Sequence, residues 1–162
     1  MIAQHGIAVE DRLRIDELYA HYAACIDDGR FEEWPDFFTE TCTYQVIPRE
    51  NFDRGLPLAT LSFESRGMLH DRVYGITKTL FHEPYYQRHI VSGLLAVAHD
   101  EGGFAVRANY LVIRTKAGSL SEVYNAGRYI DRVVEENGRL LFSEKRCVFD
   151  SELIPNSMIY PI

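Results

Sequence analysis

The residues of this chain best suited to chemistry are an arginine and a histidine set in an apolar run. Arg88 and His89 lie within residues 85–93, between two tyrosines and the pair Ile90 and Val91. A histidine titrates near neutral pH and can act as a general acid or base when a carboxylate orients it. Because buried charge is tolerated only with partners, this pair either works in a cavity or joins one packed surface to another.

Two interpretations of His89 follow from its surroundings. On a regular strand it shares one face with apolar residues, which are Val91, Leu95 and Val97. Side chains that could complete a general acid–base pair for dehydration or isomerisation are Asp27, Asp28, Tyr22 and Tyr44. A lone histidine among apolar neighbours is more often a hydrogen-bonded core or interface residue, and we favour that interpretation.

Metal ligation finds little support in the cysteines and histidines. A Rieske iron–sulfur centre needs Cys-x-His and Cys-x-x-His pairs, and Cys25, Cys42 and Cys147 have no histidine two or three positions later. His82-Glu83 begins like a helical zinc motif, but Tyr86 stands where its second histidine would be. We therefore predict no metal, cofactor or catalytic residue on this chain, and we interpret the three cysteines as small buried hydrophobes.

Length and charge restrict the class of protein. The 162 residues, of which 46% are hydrophobic, suit one domain spanning 1–162. With 17 basic against 24 acidic residues the net charge is −7, which disfavours nucleic acid and anionic membranes as partners. No apolar stretch approaches the roughly 20 residues of a membrane span, and the first six residues lack the features of a signal peptide. We expect a cytoplasmic protein.

The first half of the chain has helical periodicity. Apolar residues at three- and four-residue spacing predict a helix over residues 10–28 that ends at Gly29. Asp27 and Asp28 precede that glycine, where carboxylates usually contact water. An aromatic cluster predicts a second, short helix limited by Pro35, and its members are Phe31, Trp34, Phe37 and Phe38. A strand over residues 42–46, a loop over 48–58 and a third helix over 65–79 follow.

The second half changes to the period of strands. Four long runs fill residues 86–149, separated by turn sequences at 100–103, 116–119 and 135–138. Three such turns predict an antiparallel meander. Helices followed by strands indicate the α+β class. The natural architecture is a nuclear-transport-factor-2-like (NTF2-like, or cystatin-like) cone, in which a strongly curved antiparallel sheet wraps around the long N-terminal helix.

Several short blocks, in order along nearly the whole chain, carry a family resemblance. They are Glu33-Trp34-x-x-Phe37-Phe38, Cys42-x-Tyr44, Asp71-Arg72-Val73, Arg88-His89-x-Val91-Ser92, Gly127-x-Tyr129-x-Asp131 and Asp150. Together they resemble the small (β) subunit of Rieske aromatic-ring-hydroxylating dioxygenases. Residues 48–52, 84–89 and 150–162 are most similar to the small subunits of salicylate 5-hydroxylase-type enzymes. One departure is Gly93, where the family often has asparagine.

The resemblance implies a function in which this chain is not the catalyst. In that family the α subunit carries the Rieske 2Fe-2S cluster, the mononuclear iron and the substrate pocket. The β subunit has the cone fold, forms a homotrimer and supports an α3β3 assembly. The implied reaction adds oxygen from O2 to an aromatic ring, benzoate- or salicylate-like, in aromatic catabolism. Electrons come from NAD(P)H through a reductase and often a ferredoxin.

On this interpretation the Arg88-His89 pair and the last residues become candidate interface anchors. Residues 154–162 combine apolar side chains with two prolines and no periodicity, so we expect them to lie extended over a neighbouring surface. The candidate anchors there are Ile154 and Tyr160. The alternative hypothesis is a free-standing cone-fold dehydratase or isomerase that uses His89 with aspartate and tyrosine partners, and it predicts an open apolar pocket.

Overall fold

The computed structural model of the protein describes residues 6–99, 101–155 and 157–162. Asp100, part of the predicted turn at 100–103, lies outside these ranges, as do residues 1–5 and Asn156. The helical elements are α1 (Val9–Asp27), a 3₁₀ helix (Phe31–Phe37), α2 (Arg49–Asp53), α3 (Arg66–Tyr74) and a π-helical turn (Gly75–Thr79). The strands are β1 (Phe38–Pro48), β2 (Leu61–Phe63), β3 (Tyr85–Ala98), β4 (Phe104–Lys116), β5 (Glu122–Glu136) and β6 (Arg139–Phe149).

Helix α1 forms where its apolar periodicity predicts. Ile15, Tyr22 and Ile26 on its inner stripe are buried against the sheet. Glu10 and Asp11 in the first turn complement the positive end of the helix dipole. Gly29, with φ of +72°, supplies the left-handed residue that ends it.

A single curved sheet of six strands packs against α1, in the order β2-β1-β6-β5-β4-β3. The α+β cone is therefore confirmed. Neighbouring strands are antiparallel, except that β1 and β6 run parallel. That pairing arises because β1 precedes the meander and adds to its far edge, which a chain-order prediction of hairpins does not anticipate.

Two predicted elements differ from those observed, because the strand predicted at 42–46 is longer and the loop predicted at 48–58 contains a helix. The strand extends over Phe38–Pro48, because it pairs with β6 on one side and with the short β2 on the other. The loop contains α2, which an i,i+4 ion pair between Glu50 and Arg54 supports. The third helix is continuous as predicted, but beyond Tyr74 it widens into the π-helical turn.

A bulge in β3 changes which side chains face the core. Gly93 has φ of +62°, and the register of β3 against β4 shifts between Ser92 and Leu95. Beyond the bulge Leu94 is buried, whereas Leu95 is 62% exposed. The prediction that Leu95 and Val97 share the face of His89 is therefore wrong, because one extra residue inverts the alternation.

Strands β5 and β6 leave no room for a side chain at Gly127. A Cβ atom there would lie 2.0 Å from the Val148 carbonyl oxygen and 2.8 Å from the Phe149 Cα. Both are main-chain atoms within a paired ladder, so they cannot move aside without separating the strands. Gly67 in α3 differs, since its Cβ would meet only the Ser65 Oγ at 3.6 Å.

We expect Gly127→Ala to lower the free energy of unfolding by about 1–3 kcal/mol, because the added methyl overpacks the β5–β6 pair. Gly67→Ala is the matched control, and it should leave stability unchanged or raise it by up to about 1 kcal/mol, since alanine favours the helix. Urea denaturation of both variants checks this. Equal stability of the two alanine variants would contradict the close approach.

Candidate functional site

A fully buried ion pair lies at the centre of the cone. Lys145 on β6 and Asp131 on β5 are paired in the ladder register, and both side chains are 0% exposed. The Lys145 Nζ donates to Asp131 Oδ2 at 2.8 Å. The Tyr19 hydroxyl of α1 donates to the same oxygen, and the Arg146 main-chain N–H donates to Oδ1 at 3.2 Å. Burial raises the pKa of Asp131, and the Lys145 ammonium opposes that shift.

Aromatic rings surround the ammonium group of Lys145. Its Nζ lies 3.5 Å from the ring centroid of Tyr129, and further rings of Tyr19, Tyr22 and Phe142 lie within 4.8 Å. Ring faces attract a cation, and the attraction is stronger in a dry interior. The charge of Lys145 is therefore stabilised by one carboxylate and four rings, and no other ionic partner touches it among the described residues.

The carboxylate of Asp27 joins the end of α1 to β3. Its Oδ1 accepts from the His89 Nδ1 at 2.6 Å, and its Oδ2 accepts from the His89 main-chain N–H at 2.9 Å. The side chains are 4% and 0% exposed. Because β3 is an edge strand, this carboxylate also caps a main-chain donor that would otherwise be open to another strand.

Of the four partners proposed for His89, the structure brings Asp27 to it and leaves the other three apart. Asp28 is 60% exposed, as predicted, but the Asp27 side chain is 4% exposed, so the expectation that it contacts water is wrong. Tyr22 and Tyr44, the other proposed partners, bind the Ile162 main-chain oxygen instead.

Arg88 and His89 do not form a buried pair. Strand alternation places them on opposite faces, and the Arg88 side chain is 70% exposed while its Nη1 lies 3.9 Å from Asp27. A cleft of about 510 Å³ lies beside them between α1 and β3, lined also by Arg12 and Asp16. The cleft is bordered by charged groups, and the buried imidazole exposes no surface to it.

Residues 157–162 close the mouth of the cone without forming a helix or strand. Ile162 is buried, and its main-chain oxygen accepts from the Tyr22 hydroxyl at 2.8 Å. Arg72 holds the segment by donating to the carbonyls of Met158 at 2.6 Å and Ile159 at 2.9 Å. As predicted, this part of the chain forms no element of its own, and the surface that it covers belongs to its own chain.

Ile154 and Tyr160, the two candidate anchors in this segment, also contact their own chain. Ile154 is partly buried against the core. The Tyr160 ring stacks on Phe31 at 4.7 Å between centroids, and its hydroxyl lies 2.9 Å from the His82 Nε2. Their role in an interface between subunits stays a prediction.

The interior of the cone is filled by large side chains. The largest fully buried aromatic residues are Trp34, Tyr22, Tyr44, Tyr129, Phe38 and Phe142. Edge-to-face contacts join them, such as Trp34 to Tyr44 at 5.1 Å between ring centroids. These side chains occupy the interior of the cone, and His89 with Asp27 lies at its side.

The donor set of the chain does not fit a Rieske cluster. Cys25, Cys42 and Cys147 are free and buried in separate places. Burial raises the pKa of Cys147 to about 12 and that of Cys25 to about 11, which disfavours the thiolate that binds iron. Within residues 6–99, 101–155 and 157–162, no three side chains of His, Cys, Asp or Glu gather as a metal site.

Sequence reasoning did not identify Lys145, Asp131 or Arg72 as organising residues. Asp131 and Arg72 occur in the blocks that carried the family resemblance, which was the available signal. Lys145 stands at an inward position of β6 between Ser143 and Cys147, a place unusual for a lysine.

Among the described helices, none is long and apolar enough to cross a membrane.

Comparisons with known proteins agree on one family. Residues 8–146 match the SnoaL-like domain. The small subunit of anthranilate 1,2-dioxygenase from Burkholderia cepacia is 37% identical over 145 residues, 90% of each chain. A β subunit of the terminal oxygenase of terephthalate 1,2-dioxygenase from Comamonas sp. is 31% identical, covering 94% of this chain and 99% of that one.

A solved structure extends the likeness to three dimensions. It is a chain from Novosphingobium aromaticivorans assigned as the β subunit of an aromatic-ring-hydroxylating dioxygenase. It is 34% identical, has a TM-score of 0.85, and the match covers 96% of this chain and 100% of that chain. The same cone and the same element order therefore occur in a relative of recognisable sequence.

We expect Lys145→Met to lower the free energy of unfolding by about 3–5 kcal/mol, because it leaves the Asp131 carboxylate buried without its cation. The double variant Lys145→Met with Asp131→Asn should recover part of that loss, since the amide still accepts from Arg146. Arg54→Met, in an exposed ion pair, is the control and should cost under about 1 kcal/mol. Additive losses in the double variant, measured in urea, would contradict the coupling.

We expect the native cysteines to resist thiol reagents. With a pKa of about 11, Cys25 and Cys42 are thiolate in roughly one molecule per thousand at pH 8. Labelling with Ellman's reagent should reach three equivalents only after denaturation. If one thiol of the native protein reacts as fast as the thiol of free glutathione, that cysteine is accessible and the prediction is wrong.

Proposed function

The chain belongs to the SnoaL-like family and to the small (β) subunits of aromatic-ring-hydroxylating dioxygenases, and from this premise we propose that it assembles and stabilises an oxygenase without catalysing the reaction. The catalytic centres, a Rieske 2Fe-2S cluster and a mononuclear iron, would then lie on a larger α subunit. The proposed complex is α3β3 with a β homotrimer, and its compartment is the cytoplasm.

The observation that carries this proposal is the filled cone. A catalyst of this fold needs a cavity in which a substrate meets its proton-transfer groups. Here Trp34, Tyr44 and Phe142 fill that volume, and Ile162 closes it. The Lys145–Asp131 pair is 0% exposed, so a substrate does not reach it. Such an interior supports a rigid structural subunit.

The surface supports association with other chains. Phe81 and Leu153 are 107% and 90% exposed, and Leu120 is 92% exposed, so these large apolar side chains are available for contact with another chain. Arg88 also stands on the outer face of an edge strand. We propose that contacts between subunits cover part of this surface. Arg88 would contact the neighbouring subunit, and His89, Ile154 and Tyr160 would contact it or hold the residues that do.

The names of two relatives support a proposal for the substrate class. Anthranilate and terephthalate, named in two of them, are both aromatic carboxylates. We therefore propose that the complete enzyme adds O2-derived oxygen to a benzoate- or salicylate-like ring. Electrons would arrive from NAD(P)H through a reductase, with or without a ferredoxin. None of this chemistry is assigned to residues of the chain described here.

A second function, a free-standing dehydratase or isomerase, is favoured by one observation. The Asp27–His89 hydrogen bond of 2.6 Å lies beside a cleft of about 510 Å³, and such a pair can transfer protons. The imidazole, however, is 0% exposed, and its Nε2 is buried without a partner among the described residues. A substrate would have to displace α1 or β3 to reach it.

His89→Asn distinguishes the two functions, because asparagine keeps an N–H that can donate to Asp27 but removes the imidazole. In the complex with the larger subunit, we expect turnover per iron to stay within about twofold of wild type. His21→Asn, at an exposed histidine of α1, is the control for the substitution itself. Loss of a general acid–base group would instead lower turnover by about 10²–10⁴-fold with assembly intact, which would refute the structural role.

A further inference from the structure

A small pocket where α1 meets the start of β3 contains a buried amide with nothing to bind. It has a volume of about 170 Å³ and includes Asp28, Gly29 and Gln87 in its lining. Gln87 is only 4% exposed, and among the described residues neither its Oε1 nor its Nε2 has a hydrogen-bond partner. Because leaving a buried amide unsatisfied costs free energy, a polar group from outside the chain is expected in this Gln87 pocket.

The electrostatics of the Gln87 pocket favour a cation. Helix α1 ends beside it with the negative end of its dipole, and no basic residue lies in its last turn. The carboxylate of Asp28 is 60% exposed at the rim. Arg30 lies 3.6 Å from that carboxylate, but it also lies 2.6 Å from Glu33. Asp27, which lines the pocket too, has Arg88 at 3.9 Å. Three carboxylates therefore face two guanidinium groups, and negative charge remains in excess.

Aromatic side chains form the remaining walls. Phe31 and Tyr160 stack with ring centroids 4.7 Å apart, and Tyr85 lies 4.4 Å from the Tyr160 ring. Tyr86 stands at the rim and is 79% exposed. Ring faces beside a carboxylate attract planar cations in particular, because a guanidinium group can stack and form an ion pair at the same time.

We propose that the Gln87 pocket binds the guanidinium group of an arginine carried by the partner subunit. The identity of the partner rests on the proposed function, whereas the chemistry of the pocket does not. Each amide atom of Gln87 exposes less than 1 Å², so the Gln87 side chain must turn toward the pocket when the guanidinium binds. In this arrangement the Gln87 Oε1 accepts from the guanidinium and Asp28 pairs with it. The Gln87 Nε2 is left to donate to a main-chain carbonyl of the same partner segment. A volume of 170 Å³ holds about five waters, which is enough for the end of one arginine.

Two probes of nearly equal shape test the pocket on the isolated chain. The ¹⁵N-labelled protein is titrated with methylguanidinium and, separately, with uncharged methylurea, and the signals of the Gln87 side-chain amide and of Gly29 are followed. We expect saturable shifts with methylguanidinium only. Asp28→Asn should weaken its binding about three- to fivefold, the effect of one exposed ion pair. Glu32→Gln, at an exposed acid that does not line the pocket, should not.

Equal shifts with methylurea, or no shift with either probe, would overturn the cation site. A second variant, Gln87→Met, removes the amide at nearly constant shape and should abolish the selective shift while the protein stays folded. Selective shifts that persist in Gln87→Met would also overturn the proposal.

Co-purification tests whether the larger subunit supplies the arginine, and it distinguishes failure of the pocket proposal from failure of the proposed function. Asp28→Asn and Gln87→Met should each lower the yield of the co-purified larger subunit by at least about threefold, relative to Glu32→Gln. If the complex forms at full yield with every variant, the pocket is no arginine receptor and the proposed function stands. If methylguanidinium binds but no larger subunit co-purifies from the native host, the proposed function fails and the partner assignment fails with it.

Discussion

The structure depends on one ion pair placed where no water reaches it. Lys145 and Asp131 join β6 to β5 at the centre of the cone, and Tyr19 joins α1 to the same carboxylate. A charge at 0% exposure is costly unless every donor and acceptor around it is satisfied. Four aromatic rings and three hydrogen bonds to Asp131 meet that requirement here. The position of α1 across the sheet is fixed by the same group.

The side chains that surround the ion pair also fill the interior of the cone. Tyr22, one of the rings around Lys145, packs edge to face with Phe38 and accepts from the Trp34 indole N–H. The Tyr22 hydroxyl donates to the main-chain oxygen of Ile162, and the Ile162 N–H donates to the Tyr44 hydroxyl. The hydroxyls of Tyr22 and Tyr44 are thereby bonded to the chain itself. The side chains left open lie at the ends and on the outer surface, where Arg88, Asp28 and Tyr86 are exposed. A subunit that works through its surface fits this distribution better than a catalyst does.

Much of the fold could be predicted from periodicity, and the failures come from bulges and distant contacts. The turn at Asn137 and Gly138 pairs Glu136 with Arg139, and a regular ladder from there would set Asp131 against Glu144. The register shift after Arg132 sets it against Lys145 instead, so one extra residue converts a repulsion into the central ion pair. The bulge at Gly93 likewise defeats the alternation around His89. The sequence offers Asp27 only as one of four candidate partners of His89, because spacing along the chain does not encode where α1 crosses the edge strand.

We propose that this chain is a structural subunit of an iron-containing oxygenase. Native mass spectrometry of the tagged chain, purified from its host grown on an aromatic acid, tests this, with iron and acid-labile sulfide determined in the same sample. We expect one larger partner per copy of the 18.7 kDa chain, three copies of each, and all iron and sulfide in the complex. Recovery of a colourless oligomer of this chain alone would contradict it.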